Sequence, residues 1–447
     1  MSNNSIDKGT QGYLNSMSQK AMEEYVNPTM NNMSHKLINL GTQYVSDFVE
    51  KDTDISNRKK YPLELVWNEK LGCPTLTEQP SGEEMWGKYW YKSGTNRSMK
   101  IALLDVVEGV LSHKNMKHYL LDKKKVWLDI ACNDGTLLSY VDSKAFFLVG
   151  IDPIEDKYID EAKKYADSVV QDYFTYDAWE KANAPKKADV VTSIAMFYDL
   201  QDPFTFAQDV EKALDKDGIW VIQLSYTPLM IKQLAFDNIL GEHYAYHNLS
   251  SVQRILATAN MKVLNAELND VNGGSIRIYA VKNNANMNVF GSAPKRDVWA
   301  MNVQALFNNE HHYENLPTWL DFANNVSILR MKTTDFIDRA NREGKSIWGY
   351  GASTKGNTLL QYFDLDNTKI EAIAERNPDK WGLHTIGTNI VIKSEEDMRE
   401  AQPDYVLVLP WHFISEFLVR ESEYLQKGGA FIVPCPNFKV YTKEDLK

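Results

Sequence analysis

Cysteine is scarce: the 447 residues contain three, Cys73, Cys132 and Cys435. They lie far apart and none sits in a C-x-x-C pair, so neither a disulfide framework nor a cysteine zinc site is expected. Positive charge is also in deficit, with 49 Lys and Arg against 60 Asp and Glu and a net charge of −11. Nucleic-acid backbones and anionic membrane surfaces need clustered cations, so both are poor partners; a local basic pocket for one phosphate is still compatible. No apolar run approaches the roughly 20 residues of a membrane span. The start, Met1-Ser2-Asn3-Asn4, has no apolar signal core, and a reducing cytoplasm is the expected compartment. What is present is ordinary globular composition, 43% hydrophobic and 24% charged, enough for more than one buried core.

Residues 1–24 are polar and aperiodic and read as a flexible arm. Residues 25–100 hold the aromatic stretch Trp86-Gly87-Lys88-Tyr89-Trp90-Tyr91 and read as a small lid or entry module. From 101 to 285 short apolar runs alternate with helical segments: Val126–Ala131, Phe146–Asp152, Ala188–Ile194 and Gly218–Leu224. That alternation predicts an α/β fold with a parallel, doubly wound sheet. Met261–Glu267 and Ser275–Val281 flank Asn272-Gly273-Gly274, a turn between antiparallel strands. Residues 286–345 read as a polar connector followed by a linker helix from Pro317 to about Gly344, and 346–447 as a second strand–helix alternation.

Asp129-Ile130-Ala131-Cys132-Asn133-Asp134-Gly135-Thr136 follows the first strand and is expected to open a helix. Such a turn, with Ala131, Asn133 and Gly135, lets backbone approach a ligand at the carboxyl end of the sheet. Asp152 ends the second strand and is placed to accept ribose hydroxyls. Asp172-Tyr173-Phe174 follows a third short strand, Ser168–Val170, and offers a carboxylate and aromatic faces for a purine. The turn is not G-x-G-x-x-G, and Asp129 repels phosphate yet can hold an ammonium group. That favours S-adenosylmethionine (SAM), a nucleoside with an amino-acid end, over a dinucleotide.

Asp129–Thr136 resembles motif I of class I SAM-dependent methyltransferases. Tyr89–Asn96, Met196-Phe197-Tyr198-Asp199-Leu200, Gln223-Leu224-Ser225-Tyr226, Asn272-Gly273-Gly274-Ser275, Gly349–Asn357 and Pro410-Trp411-His412-Phe413 resemble the bacterial nucleotide-sugar C-methyltransferases from about residue 28 onward. The resemblance implies a Rossmann-like methyltransferase domain, a second C-terminal Rossmann-like domain and a small N-terminal module. It also implies methylation of a carbon in a nucleotide-linked keto-deoxysugar, and adds Ser193 to the cofactor residues. Two departures stand out. Met30–Met33 and Asn68-Glu69-Lys70-Leu71 occupy the places of the family's two C-x-x-C pairs, so no structural zinc is expected. Gly241 replaces the first residue of a His-Glu-His cluster, leaving Glu242 and His243.

Removing a proton beside a ketone needs a base, and His243 is the candidate, with Glu242 as its partner or as a ligand for a sugar hydroxyl. Tyr91 and Tyr198 are candidate donors to the enolate oxygen, although Tyr89–Tyr91 equally read as packed aromatics. Ser93 and Thr95 would bind the methionine carboxylate or cap a helix. In the second domain Ser353, Lys355 and Asn357 stand before a helix N-terminus and suit an anion. The resemblance places the substrate's nucleotide diphosphate there, with Arg376, Trp411, His412 and Tyr226 as further substrate residues. An O- or N-methyltransferase, or an inactive SAM-binding scaffold, fits the same sequence less closely.

Overall fold

The computed structural model describes residues 36–86, 90–95, 97–114 and 125–446. The arm over 1–24, the segment Met30–Met33, and Tyr89 and Asn96 lie outside the described residues.

The chain enters with β1 (Lys36–Tyr44), β2 (Phe48–Val49), β3 (Lys60–Asn68) and β4 (Cys73–Leu76). An antiparallel sheet runs β1-β3-β4. The β3–β4 turn is closed by amides: Leu71 N–H donates to the Asn68 side chain at 3.1 Å, and Gly72 N–H to the Asn68 carbonyl at 2.8 Å.

The central sheet holds β5 (Lys125–Ile130), β6 (Phe146–Ile151), β7 (Ser168–Val170), β8 (Ala188–Ile194), β9 (Leu214–Ser225), β10 (Met261–Asn269) and β11 (Ser275–Lys282). Its order is β10-β11-β9-β8-β5-β6-β7. β5 to β9 are mutually parallel, and β11 runs antiparallel between β9 and β10. The apolar runs of the sequence are apolar because these strands are covered on both faces; Trp127, Leu128, Val190, Val191 and Trp220 are wholly buried. Strand order reverses at β5, which has β8 on one side and β6 on the other. The crevice at the carboxyl end of β5 is therefore the place for a ligand.

Two expectations about this half need correction. The turn after β5 does not open an α-helix: only a single 3₁₀ turn, Leu138–Tyr140, fits before β6 begins at Phe146. The polar segment after β11 is not an irregular connector; it forms an 18-residue helix, Ala293–Glu310. Its apolar residues make no single stripe, since Trp299 is buried while Val298 and Met301 are exposed, and the helical period is hidden. The helix ends in a buried carboxylate. Glu310 accepts hydrogen bonds from Tyr226 Oη (2.7 Å), Leu249 N (2.6 Å), Ser250 N (2.9 Å) and Ser250 Oγ (2.7 Å). It thereby satisfies the first turn of the helix Leu249–Thr258, where a negative charge also complements the helix dipole.

A long helix, Leu316–Arg342, capped by Asn315, leads to a second sheet, parallel at its centre and antiparallel at its edges. Its strands are β12 (Ile347–Tyr350), β13 (Ala372–Glu375), β14 (His384–Thr385), β15 (Val391–Ser394), β16 (Tyr405–Val408), β17 (Ala430–Val433) and β18 (Lys439–Tyr441). The order is β18-β17-β16-β12-β13-β15-β14-β2. The last member, β2, comes from the N-terminal module, pairing Phe48 with Thr385 and Val49 with His384. The module is thus not a free-standing lid. It shares one hydrophobic core with the C-terminal domain, including Leu37, Leu63, Phe236, Phe322, Ile373 and Leu407. No helix among the described residues is long and apolar enough to cross a membrane.

Glu310→Ala strips the acceptor from four donors, three of them in or beside the buried helix start. We expect a loss of about 2–4 kcal/mol of stability in urea unfolding; a loss below about 1 kcal/mol would mean that water replaces the carboxylate.

Candidate functional site

The turn after β5 is built from left-handed backbone: Ala131, Asn133 and Gly135 have φ of 59°, 51° and 74°. At Gly135 the requirement is strict, because a Cβ would lie 2.8 Å from the Ala162 Cα. Asp152, at the end of β6, accepts from Asn133 N at 2.7 Å and Ile154 N at 2.9 Å, one to each oxygen. A carboxylate has about four acceptor positions, so two remain for a diol. Burial raises its pKa while these N–H groups oppose the rise. Asp129 is buried inside the turn with Thr192 Oγ1 donating at 2.6 Å, and burial pushes it up to about 7.

The loop carrying Tyr91, Ser93 and Thr95 docks on this turn. Asn133 Nδ2 donates to the Tyr91 carbonyl at 3.1 Å, and Ser93 N donates to Asn133 Oδ1 at 3.0 Å. Gly94 N donates to Asp134 Oδ2 at 2.9 Å, while Asp134 Oδ1 accepts from Thr136. Asp134 is a clamp that sequence reasoning missed; the Asp-x-Thr spacing of a local turn was its signal. Among the described residues no Lys or Arg forms an ion pair with Asp129, Asp134 or Asp152. The pocket therefore suits a cationic nucleoside and not a pyrophosphate, and the residues present fit SAM.

Asp172 is not part of this group. Its carboxylate lies at the surface, held by Lys181 at 2.8 Å and by Tyr173 N at 2.9 Å. The lysine nine residues on competes for the charge that a purine was expected to use. Tyr173 stays near the site, its phenol closing over Gly82 and feeling the Asp152 charge. Phe174 packs edge-on against Phe206 at 5.2 Å. Ser193 points into the sheet, where its Oγ accepts from Trp220 Nε1 at 3.1 Å.

A second cluster lies beside it. The His243 ring sits 4.0 Å from that of Tyr198. His243 Nδ1 is 2.9 Å from the Asn238 carbonyl, which fixes the tautomer with Nδ1 protonated and Nε2 as the acceptor. Burial, and then the Lys355 charge, push His243 down to about 3, so the ring is neutral. Its partner is a main-chain carbonyl and not Glu242. Glu242 is buried with its pKa raised to about 7 by desolvation. The Tyr198 phenol is held protonated by burial and by the neighbouring charges of Asp199 and Glu242. Tyr91 is 41% exposed as a residue, but its phenol end lies inside, where burial and Asp134 raise its pKa. Asp199 was quoted only as part of a motif, yet one of its carboxylate oxygens is buried without a hydrogen-bond partner among the described residues, and its pKa is strongly raised by burial and by Glu242. Gln79 Nε2 ties the two acidic segments together, donating to the Asp199 and Glu242 carbonyls at 3.0 and 2.9 Å. Gly241 has a local reason: a Cβ there would stand 3.1 Å from Pro80.

The C-terminal domain closes on this cluster. Lys355 Nζ donates to the Asn272 carbonyl at 3.1 Å, from the turn between β10 and β11. Trp411 and His412, after β16, line a cleft of about 530 Å³ with Gln233, Gly273, Asn437 and Lys439. Burial and the Lys355 charge push His412 down to about 3. Other expected substrate residues are engaged elsewhere. Ser353 caps its helix by accepting from Gly356 N, and Asn357 holds Ser46 and the Asp47 carbonyl. Arg376 lies half-exposed between Glu395 and Glu416 at 3.8 and 3.9 Å. Tyr226 is committed to Glu310.

Residues 111–266 match a family model described as a methyltransferase domain, and residues 270–436 one described as a C-methyltransferase C-terminal domain. The chain is 25% identical over 405 residues to the C-methyltransferase NovU of Streptomyces niveus, covering 90% of this chain and 93% of that one. Among solved structures it is similar to the plantazolicin methyltransferase BpumL (14% identity, TM-score 0.33, 42% of this chain and 86% of that one). It is also similar to the magnesium protoporphyrin IX methyltransferase ChlM of Synechocystis PCC 6803 (13%, TM-score 0.30, 41% and 79%). The two domain models follow one another along the chain, meeting near the end of β10, and the protein is a SAM-dependent methyltransferase whose second part matches the C-methyltransferase C-terminal domain.

Proposed function

We propose that this chain methylates the carbon next to the ketone of a nucleotide-linked deoxysugar, with His243 as the base. The observation that carries this reading is the His243 Nδ1–Asn238 carbonyl bond, which turns Nε2 into a fixed proton acceptor beside the buried Tyr198 phenol. When bound, SAM supplies an electrophilic methyl group at its sulfonium. Asp152 holds the ribose hydroxyls, and the acidic turn favours the cation. His243 Nε2 takes the proton from the carbon, and the C–H electron pair moves toward the carbonyl oxygen. Tyr198 and Tyr91, kept protonated by burial, donate to that oxygen as charge develops. With SAM held in the turn after β5, its sulfonium methyl would be the electrophile that this carbon takes, leaving the demethylated thioether.

The sugar's nucleotide fits the cleft walled by Trp411 and His412, and its diphosphate fits Lys355. An anion there offsets the Lys355 charge that, after burial, weakens His243 as a base. A second reading makes Glu242 the base, because its pKa of about 7 is already poised for neutral pH.

Transfer of labelled methyl into a panel of nucleotide-linked 4-keto-6-deoxysugars tests the activity. The α-hydrogen must exchange with deuterated solvent or be lost; methylation with that hydrogen retained would indicate an oxygen or nitrogen acceptor. His243→Ala is expected to cut turnover by roughly 10²–10⁴ while SAM affinity holds, and Glu242→Gln by less than about tenfold. The reverse ranking assigns the base to Glu242. Asp152→Ala should weaken SAM binding by about 1.5–3 kcal/mol in calorimetry; unchanged affinity removes its ribose role.

Glu242 also predicts a pH effect. Its folded pKa is raised above the ordinary 4.5 to about 7, so the folded state holds more proton than the unfolded chain between those values. Its contribution to stability therefore falls as pH rises through this window and is most unfavourable above about 7. Glu242→Gln should gain about 1–3 kcal/mol over the parent at pH 8 and almost nothing at pH 4. Equal melting shifts at both pH values would refute the raised pKa.

A further inference from the structure

One 3₁₀ turn, Phe236–Asn238, faces both domains at once. The Phe236 ring stacks on Phe363 at 5.2 Å and lies 5.4 Å from Tyr362, both on the helix Thr354–Phe363 of the C-terminal domain. Asp237 is wholly buried, and its Oδ2 accepts from Trp411 Nε1 at 3.0 Å. The next carbonyl, that of Asn238, accepts from His243 Nδ1. The other carboxylate oxygen, Asp237 Oδ1, has no hydrogen-bond partner among the described residues, and the indole N–H is the direct tie that orients this side chain. The charged and titratable groups facing Asp237 are Lys355 and Cys435, with Lys355 favouring its ionised form.

We propose that Asp237 and Trp411 are positioning residues that hold His243 in its working orientation through the Asn238 carbonyl. Trp411 is at the same time a wall of the 530 Å³ cleft. A ligand that fills the cleft presses on the indole, the indole holds Asp237, and the neighbouring carbonyl holds the imidazole. Occupancy in one domain is thereby read out as base orientation in the other. Among the described residues the imidazole makes one orienting hydrogen bond, so a small displacement of that carbonyl rotates Nε2 away from the substrate carbon. Displacements of about 1 Å are enough to cost about 10² in rate. Lys355, bonded to the Asn272 carbonyl, is a second tie across the same interface and keeps the domains together when the indole bond is cut.

This inference rests on the reading of His243 as the base, and the experiment separates the two. Turnover is measured in the full chain with labelled SAM and whichever keto sugar of the panel reacts best. Trp411→Phe keeps the ring but removes the N–H; Asp237→Ala removes the acceptor; Asp237→Asn restores an acceptor without the charge. We expect Trp411→Phe and Asp237→Ala to lower kcat by about 10–100-fold with KM for both substrates within about threefold. Asp237→Asn should return to within about fivefold of the parent. The double variant Asp237→Ala/Trp411→Phe should be no worse than the poorer single one, because both break one bond. Unchanged kcat in the single variants, a rise confined to KM, no rescue by Asp237→Asn, or additive losses would each overturn the proposal. If Asp237→Ala does not fold, Trp411→Phe and Asp237→Asn decide it. Full activity in His243→Ala removes the base assignment and this inference together; a large loss there with normal Trp411→Phe removes the inference alone.

Discussion

Carboxylates held away from water, with no close ion pair among the described residues, are the constraint on which this molecule turns. Asp129, Asp152, Asp199, Asp237, Glu242 and Glu310 each have burial as the largest influence on their pKa, and burial raises every one. An isolated charge in such a place is costly, so each group must find donors, stay protonated or await a positive ligand. The three outcomes divide along functional lines. Glu310 is saturated by four donors and is structural. Asp152 is half-saturated, leaving acceptor positions open at the sheet's crevice. Asp199 and Glu242 are left with little compensation beside the phenols and the imidazole.

The fold places these groups through two largely parallel sheets, joined by the tie between the β10–β11 turn and Lys355 and by a shared apolar core. The reversal of strand order at β5 opens the crevice for the nucleoside, and the turn between β10 and β11 presents Asn272 to Lys355 of the other domain. The N-terminal module serves both sides. Its β2 extends the second sheet, while Gln79 fastens the segments that carry Asp199 and Glu242. An amide-closed turn at Asn68–Leu71 and a shared apolar core do the holding.

Much of the fold was legible because buried parallel strands are mainly apolar. β7 and β8 fall where they were read from the sequence, and Asn272-Gly273-Gly274 forms the turn between antiparallel strands that its glycines implied. The helix Ala293–Glu310 was illegible because its burial is confined to a few positions, so no periodic stripe marks it. Within the site, Asp152 joins the turn after β5, and Tyr198, Glu242 and His243 are brought together in the neighbouring cluster. Asp172, Ser193, Tyr226, Asn357 and Arg376 are not, each because a partner remote from the site claims the side chain: Lys181, Trp220, Glu310, the Ser46–Asp47 segment and the Glu395–Glu416 pair.

What the linear chain determines here is chemistry and local geometry: a glycine where backbone must turn left-handed, an acid at the end of a strand, a histidine next to a glutamate. Those features depend on residue type and on neighbours a few positions away. Protonation state and partnership were decided only in three dimensions. Whether His243 answers to Glu242 or to the Asn238 carbonyl, and whether a carboxylate meets a lysine, an indole or nothing, depends on which distant segments pack against it. The desolvation that sets each pKa is a property of that packing and not of any residue alone.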